Sequence, residues 1–503
     1  MSLVGGTHVS GMPRPTGGLK GADERRPFAV ETCRSAERRG GPSRAPQTLA
    51  EQCVGGKRVS GMQSLAGGTK ARASLSGMAV FGRSQDQRLR VAVLASHLFP
   101  NYKASGAGPW LVTQLRELTK WCAPTVVLPH PWVPPALGGL RPRWAAWAGL
   151  PRMEVVGGIR VLHPLRVVVP GVDSWVLRTL SVTGSDWWCL RNALASRRFD
   201  VLHAHYAVPD GFAAVWLGRR YVIPSVVTVH GSDVHTLPRK SPRLNAVIRW
   251  TLRNADLVIA VSEELAELCR GLGATRERLR VFPMGVALDR FQQVDRTAAK
   301  AELGLPGRWV VCVGGLIPRK RPLLALHAFA ALAPKVPDLR LAFVGDGPLR
   351  ARLESECRDL GLEDRVLFTG VVPHDRVSLW LNAADVLVLS SAHEGLPTVI
   401  LEALACGTPV VTTAVEGVRE VLGWDPADAQ RGAVWFGKWG AIVWADAPQD
   451  VALGLEGALA RTWDRKPLRR RAEAFSASAM AARLYDKYLA LCGRRLPGKR
   501  QAV

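Results

Sequence analysis

Two features that would place the chain in a membrane or outside the cell are missing from the sequence. The 503 residues contain no run of about 18 or more uninterrupted apolar residues, the length that a membrane-spanning helix requires. The nine cysteines are scattered singly, without a close pair, so the pattern indicates neither a zinc knuckle nor the disulfide framework of a secreted domain. A reducing cytoplasm is therefore the expected compartment.

Nucleic-acid-binding motifs are also absent, although the chain is strongly basic. A formal net charge of +25 and a pI near 10.5 call for a polyanionic partner, and nucleic acid, anionic lipid and phosphorylated small molecules all qualify. Arginine outnumbers lysine and alanine and glycine are abundant, as in proteins of GC-rich genomes. Because no finger, helix-turn-helix or basic-zipper pattern is present, we do not expect nucleic acid to be the partner.

Residues 1–88 lack the hydrophobic periodicity of the rest of the chain. They are rich in glycine, serine, arginine and threonine, have no signal-peptide core, and repeat "VGGTHVSGM" (residues 4–12) as "VGGKRVSGM" (residues 54–62). We expect this extension to be disordered and without function. The repeat is typical of duplicated low-complexity sequence; the alternative is upstream DNA included in the reading frame, with Met78 as the true start.

Alternating strand and helix patterns begin at residue 89. The short apolar runs "RVAVLA", "SVVTVHG" and "ADLVIAVS" are typical of parallel strands covered on both faces, and after residue 285 the pattern restarts with "RWVVCVGGL", "LRLAFVGDGP" and "ADVLVLS". The sequence therefore predicts an α/β protein with two doubly wound parallel-sheet domains, 89–285 and 286–465, and a C-terminal helix at 466–492. A cleft is expected where the carboxyl ends of the two sheets face each other.

The stretch from about residue 131 to 199 is less regular and rich in tryptophan. Its tryptophans, interleaved with arginines, are Trp132, Trp144, Trp147, Trp175, Trp187 and Trp188. One interpretation is a set of core aromatics between packed helices. The other is a basic, aromatic surface that rests on an anionic membrane.

The segment "HEGLPTVILEALACGTPVV" (residues 393–411) places Glu394 and Glu402 on either side of a helix start. Pro397 suits the beginning of a helix and Gly407 its end. Two carboxylates about 12 Å apart or less could touch one bound molecule of nucleotide-sugar size, and the free amides between them suit a phosphate. The alternative is an amphipathic helix with two solvated carboxylates.

This segment resembles the signature of glycosyltransferase family 4, the retaining nucleotide-sugar enzymes of GT-B fold. The family pattern is Glu-Gly-x-Pro, four spacers, then Glu-Ala-x-Ala-x-Gly-x-Pro-Val-Val, and every fixed position is matched. "VFPMGVALDRF", "LAFVGDGPLRARLE" and "RVLFTGVVPHDRVSLWLNAADVLVLSS" extend the resemblance over about residues 89–492. It implies transfer of a sugar from a nucleotide donor to an acceptor hydroxyl by front-face displacement, without a metal or other cofactor.

The resemblance also implies roles for individual residues. Glu394 would face the reacting carbon and hydroxyls of the donor sugar, and His230 would contact the same sugar. Glu402 would bind the ribose hydroxyls, because a carboxylate accepts paired hydrogen bonds from a diol. The amides around Leu396 and Thr398 would hold the donor phosphate.

Three consecutive cations, Arg319, Lys320 and Arg321, follow the strand pattern of "RWVVCVGGL". Without the resemblance, such a cluster is an ordinary solvated surface run. Lys320 matches the family lysine that grips the leaving diphosphate, but the family arginine falls on Gly315. Either Arg319 or Arg321 compensates, or Lys320 and backbone amides carry the phosphate alone.

The remaining expected site residues are glycines and strand-end residues. Gly106 and Gly108 are expected near the donor diphosphate. Gly345 and Gly347 are expected near the nucleotide, and Gly370 and Val371 near its base. His203, His205 and Asp233 are expected either to contribute to the acceptor pocket or to support His230.

The expected partners are a nucleotide-sugar donor and a saccharide or lipid-linked acceptor used for envelope or exported polysaccharide. The expected location is the bacterial cytoplasm, at the inner face of the plasma membrane if the basic surface binds lipid. A nucleotide-sugar epimerase or phosphorylase of the same fold, or a sensor without turnover, are the alternatives.

Overall fold

The computed structural model describes most of the chain after residue 87. The described ranges are 88–96, 108–133, 147, 149–168, 174–424, 432–444 and 447–493. The repeat, Met78, Gly106 and Trp144 lie outside them, as does the predicted extension apart from residue 88.

The N-terminal lobe alternates strands and helices from the first described residues. Its elements, in chain order, are β1 (Leu89–Leu94), α1 (Pro109–Leu118), β2 (Cys122–Val127), β3 (His130–Pro131), β4 (Met153–Val156), β5 (Ile159–Leu162), β6 (Leu165–Arg166), α2 (Trp175–Ala195), β7 (Val201–His205), a π-helical turn (Ala207–Gly211), α3 (Phe212–Tyr221), β8 (Ser225–Val229), α4 (Ser232–His235), a 3-10 turn (Leu237–Arg239), α5 (Pro242–Asn254), β9 (Leu257–Ala260), α6 (Glu263–Gly271) and β10 (Leu279–Val281).

The main sheet of this lobe has the order β10-β9-β8-β7-β1-β2-β5-β4, while β3 and β6 form a separate pair. All its neighbours are parallel except β4 and β5. Strands β7, β8 and β9 are buried along their whole length. Burial on both faces explains why β8 and β9 are largely apolar, whereas β7 carries two buried histidines. Strand β2 pairs with one side of β1 and β7 with the other, so the strand order reverses at β1. Such a reversal opens a crevice at the carboxyl ends of the strands.

The C-terminal lobe repeats the alternation. Its elements are α7 (Arg296–Leu303), β11 (Arg308–Val313), a 3-10 turn (Pro318–Lys320), α8 (Pro322–Leu332), a 3-10 turn (Ala333–Lys335), β12 (Leu339–Val344), α9 (Arg350–Asp359), a 3-10 turn (Glu363–Arg365), β13 (Val366–Gly370), α10 (Val377–Ala383), β14 (Val386–Leu389), α11 (Thr398–Ala405), β15 (Val410–Thr413), α12 (Val418–Leu422), β16 (Val434–Phe436), β17 (Gly440–Val443), α13 (Pro448–Ala460), α14 (Arg465–Glu473) and α15 (Ala477–Leu491).

The second sheet has the order β13-β12-β11-β14-β15-β17-β16, parallel except for the β16–β17 pair. The strand order reverses at β11, because β12 pairs with one side of it and β14 with the other. The loops that leave β11 and β14 therefore diverge and open a second crevice. The two sheets confirm the predicted doubly wound α/β architecture. The exact domain limits, at residues 89–285, 286–465 and 466–492, remain predictions from the sequence.

The last helix, α15, returns to the N-terminal lobe. Tyr488, Leu484 and Ala481 of this helix are buried in the same apolar cluster as β1 and α1. The connection before it is anchored by Val286, whose N–H donates to the Phe475 carbonyl at 2.9 Å. The predicted crossing of the C-terminal helix is confirmed. Among the described helices, none combines the length and the apolar composition needed to cross a bilayer.

Candidate active site

A cleft of about 610 Å³ lies between the two lobes, at the carboxyl ends of the sheets. Side chains of both lobes line it. From the N-terminal lobe these include Trp110, Tyr206, His230 and His235, and from the C-terminal lobe Arg319, Lys320, His374, His393, Glu394, Leu396, Thr398, Glu402 and Glu416.

Glu394 lies in the loop between β14 and α11 with only 9% of its side chain exposed. Its Oε1 accepts from Lys320 Nζ at 2.5 Å and from Ser391 Oγ at 2.7 Å, and its Oε2 accepts from Arg319 Nη1 at 2.8 Å. Burial by itself raises the pKa of Glu394, but the charges of Lys320 and Arg319 together outweigh burial, so the pKa is lowered. The carboxylate is therefore ionised and held in one orientation.

The three consecutive cations separate into two environments. Lys320 and Arg319 line the cleft, with 22% and 46% of their side chains exposed. Arg321 does not line it; its guanidinium donates to the carbonyls of Ser390 and Ser391 at 2.8 and 2.7 Å, at the end of β14. Of the two arginines that could compensate for Gly315, only Arg319 faces the cleft.

His230 follows β8 and lies within a group of aromatic rings. Its ring centroid is 4.5 Å from that of Trp110 and 5.4 Å from that of Tyr206. Its Nε2 is hydrogen-bonded to Nδ1 of His205 at 3.0 Å. His205 is fully buried, and burial, followed by the charges of His203 and His230, lowers its pKa well below the ordinary value. A neutral His205 therefore orients the His230 ring.

His203 and Asp233 do not line the cleft. His203 is enclosed: Nδ1 is bonded to the Tyr488 hydroxyl at 2.6 Å and Nε2 to Thr228 Oγ1 at 2.8 Å, and burial lowers its pKa to about 3. Asp233 is buried and accepts from the amides of Ala207, His230 and Gly231 at 2.9 to 3.1 Å. Burial raises its pKa to about 6 in spite of these donors. The geometry favours supporting positions for both residues over contact with an acceptor.

Helix α11 presents its first turn and Glu402 to the cleft. Leu396 and Thr398 line the wall beside the helix start. Glu402 is 13% exposed, and its Oε1 lies 3.4 Å from Nε2 of His374. Arg290 donates to Nδ1 of the same histidine at 2.7 Å. Glu394 and Glu402 thus lie in one cleft, on either side of a helix start, as the sequence predicts.

The glycines expected at the site differ in position. Gly108 precedes α1 in a left-handed conformation (φ 50°), just before the cleft-lining Pro109. Gly345 and Gly347 support the loop after β11: a Cβ on Gly345 would lie 2.1 Å from the Gly314 carbonyl oxygen. Four residues were expected to face the nucleotide or its base: Gly345, Gly347, Gly370 and Val371. None of them lines the cleft of about 610 Å³, and Val371 is exposed to solvent.

Gly395 brings the two lobes together. A Cβ at this position would lie 2.1 Å from the backbone oxygen of His230, so no other residue fits without moving the lobes apart. The backbone after β8 and the loop before α11 are therefore in direct contact, and Glu394 and His230 face the same space.

Several cleft residues were missed by sequence reasoning. Tyr206 stacks against His230 and Trp110 lies beside it at a tilt, His374 reaches Glu402, and Glu416 accepts the Glu394 amide at 3.1 Å. Tyr206 could have been predicted from its position in the sequence, because it directly follows the strand that contains His203 and His205, in "HAHYAVPDG". His374 lies in a segment that resembles the family, but its own role could not be read from that segment, and Trp110 and Glu416 had no local signal.

A solved structure shows the same two-lobed architecture. Sucrose-phosphate synthase from Thermosynechococcus elongatus matches with a TM-score of 0.62 at 23% identity, over 81% of this chain and all of that chain. At this identity the similarity establishes the fold, and the predicted GT-B fold is confirmed.

Two family models and two named relatives match the sequence more specifically. The model "Glycosyltransferase Family 4" matches residues 146–290 and "Glycosyl transferases group 1" matches residues 295–427. TuaC of Bacillus subtilis (strain 168), named as a candidate teichuronic acid biosynthesis glycosyltransferase, is 32% identical over 65% of this chain and 81% of its own length. The 2-deoxystreptamine glucosyltransferase of Streptomyces kanamyceticus is 36% identical over 55% and 76%. The chain therefore belongs to the group 1, family 4 glycosyltransferases, as predicted, and is a transferase.

Proposed function

We propose that this glycosyltransferase moves a sugar from a nucleotide-sugar donor to a saccharide hydroxyl with retention of configuration. The observation that carries the proposal is the ionised Glu394, held by Lys320 and Arg319 in a cleft that His230 also lines. A sugar with a diphosphate leaving group needs both an acceptor for its hydroxyls and cations for its phosphates, and this cleft offers both.

The donor diphosphate is assigned to Lys320, Arg319 and the start of α11. A lysine ammonium has three N–H donors and Glu394 uses one of them, so donors remain for a phosphate oxygen. The amides around Leu396 and Thr398 add the positive end of the α11 dipole. Glu402, with His374 beside it, is assigned to the ribose hydroxyls.

The reacting sugar is assigned to the space between Glu394 and His230. Glu394 accepts hydrogen bonds from the sugar hydroxyls, and His230, oriented by His205, contacts the sugar from the N-terminal lobe. In a front-face displacement the bond from the anomeric carbon to the diphosphate breaks while the acceptor oxygen bonds to the same face. The departing diphosphate takes the acceptor proton, and Lys320 and Arg319 neutralise its charge without a metal.

The acceptor is assigned to envelope or exported polysaccharide synthesis at the cytoplasmic face of a bacterial membrane. The support is the similarity to TuaC, whose name refers to teichuronic acid, together with the basic character of the chain. A small aminocyclitol acceptor, like that in the name of the Streptomyces relative, is the second candidate.

Screening nucleotide sugars against the purified chain tests the proposal. We expect one of the UDP-, GDP- or ADP-sugars to raise the melting temperature, and its nucleoside diphosphate to be released when a saccharide acceptor is added. A product with the anomeric configuration of the donor, observed by NMR, supports retention. Binding without release, or an altered sugar still attached to its nucleotide, would contradict transfer.

An exposed apolar patch on the N-terminal lobe supports membrane attachment. The patch consists of Leu177, Leu180 and Trp188 on one face of α2, and Val167 and Val168 after β6; each has at least 43% of its surface exposed. Ser181 and Ser185 of α2 donate to the carbonyls of Val167 and Leu165, which makes the two parts continuous.

A cation accompanies the aromatic residue of this patch. The Arg191 guanidinium lies 3.7 Å from the Trp188 ring centroid. Tryptophan prefers the interface between water and lipid, and the arginine attracts acidic headgroups. We assign the patch to an anionic bilayer surface, the second interpretation of the tryptophan-rich stretch.

Replacing Leu177 and Leu180 together with glutamate is expected to weaken binding to vesicles containing phosphatidylglycerol at least about tenfold, because apolar contact is lost and charge repulsion added. Co-sedimentation with vesicles measures the effect. The matched control is Leu453→Glu, which changes an exposed leucine of the other lobe. Equal binding by all three proteins, or no binding by the unmodified chain, would contradict the assignment.

A further inference from the structure

Two histidines and a glutamate converge at the rim of the cleft. His235 ends α4 in the N-terminal lobe, whereas His393 and Glu416 belong to loops of the C-terminal lobe. One ligand atom from each lies within 4.8 Å of the others. The His235 and His393 ring centroids are 4.4 Å apart, and His393 Nδ1 is 3.3 Å from Glu416 Oε1.

One pair in this group has the spacing of ligands to a tetrahedral metal ion, and the third ligand would have to move closer by no more than about 1.5 Å. Zinc bonds to imidazole nitrogen and carboxylate oxygen are about 2.0–2.2 Å long, so ligand atoms in a tetrahedral site lie about 3.3–3.5 Å apart. The distance from His393 to Glu416 already has this value. Two imidazoles and one carboxylate favour zinc over magnesium, which prefers oxygen ligands.

We propose that His235, His393 and Glu416 form a site for Zn²⁺ or a similar divalent transition metal that links the two lobes. The transfer steps proposed above assign no role to the side chains of these three residues, although they line the same cleft. Three protein ligands leave a fourth position for water, and the ion would tie α4 of one lobe to the loops of the other. The bound ion would therefore oppose separation of the lobes at this rim of the cleft.

The surroundings of the glutamate support this role. Glu416 keeps its orientation because Oε2 accepts the Glu394 amide, which leaves Oε1 for a metal. The positive charge of Arg239, close to His235, opposes the ion, and the carboxylate of Glu416 offsets it.

Calorimetric titration of Zn²⁺ into the untagged full chain, dialysed first against a chelator, tests the proposal. We expect one ion per chain and a zinc-dependent rise in melting temperature. His235→Ala and His393→Ala should each raise the Kd for zinc about 100-fold or more, because each removes a direct ligand. Magnesium should not compete at equal concentration.

The matched control is His327→Ala. His327 pairs with Glu356 at 3.0 Å on the surface of the C-terminal lobe, with comparable exposure and outside the cleft, so its removal should leave zinc binding unchanged. Absence of zinc binding, or equal binding by all variants, would overturn the site. Loss with His393→Ala but not with His235→Ala would overturn the link between the lobes. Circular dichroism checks that each variant is folded.

Discussion

Replacing Glu394 with glutamine is expected to lower kcat/KM for sugar transfer by about 100- to 1,000-fold, the usual cost of removing one electrostatic group from a reacting centre. Glutamine has the same size, but it carries no charge, and its amide N–H groups meet the donors of Lys320 and Arg319. The hydroxyls of the donor sugar would lose an oriented acceptor, and both cations would lose the carboxylate that positions them. Steady-state release of nucleoside diphosphate in the presence of acceptor measures the loss.

The fold should survive this substitution. Lys320 and Arg319 retain access to water, so their charges can be hydrated, and we expect the free energy of unfolding to fall by no more than about 1–2 kcal/mol. Glu456→Gln is the matched control, since Glu456 pairs with Lys335 on the surface of the same lobe. If Glu394→Gln turns over at the unmodified rate, the proposed role of Glu394 is wrong.

Lys320→Ala is expected to raise the Kd for the nucleoside diphosphate about 10- to 100-fold, because a charge-assisted hydrogen bond in a partly buried site contributes about 1.5–3 kcal/mol. The rate of transfer should fall as well, since negative charge accumulates on the diphosphate as it leaves. Calorimetric titration with the diphosphate identified in the nucleotide-sugar screen gives the Kd.

The control for this substitution is Lys335→Ala, which removes a lysine paired with a carboxylate outside the cleft. Its Kd for the nucleoside diphosphate should equal that of the unmodified chain. An unchanged Kd for Lys320→Ala would show that the backbone amides and Arg319 hold the phosphates without it, and our assignment would be wrong.

The cations after β11 show where sequence reasoning stopped. Three adjacent residues with the same charge offered two candidates for the missing family arginine, and the pattern favoured neither. The choice depends on backbone direction: Arg321 has a left-handed conformation (φ 45°) at the start of α8, and its side chain turns to the end of β14. Arg319, two residues earlier, reaches Glu394. A local sequence carries no information about the strand end that captures one of the two side chains.

The histidines of β7 show the same limit. His203 and His205 lie on one face of a strand, and the sequence treated them as a pair. The two residues are about 6.6 Å apart along the strand. His203 is enclosed by Tyr488 of α15, whereas His205 reaches His230. Tyr488 is 285 positions away from His203 in the chain, so only the folded molecule could distinguish them.

The sequence by itself determined the two parallel sheets, the returning helix and the position of Glu394 and Glu402 around a helix start. It could do so because apolar runs, a proline, a glycine and a family signature are local properties of the chain. The tertiary structure decided which charged and aromatic side chains share the cleft, and it assembled His235, His393 and Glu416 from the end of one helix and two separate loops. Such groups form where the ends of strands that are distant in sequence come together. The spacing of residues along the chain does not show which strand ends will be neighbours.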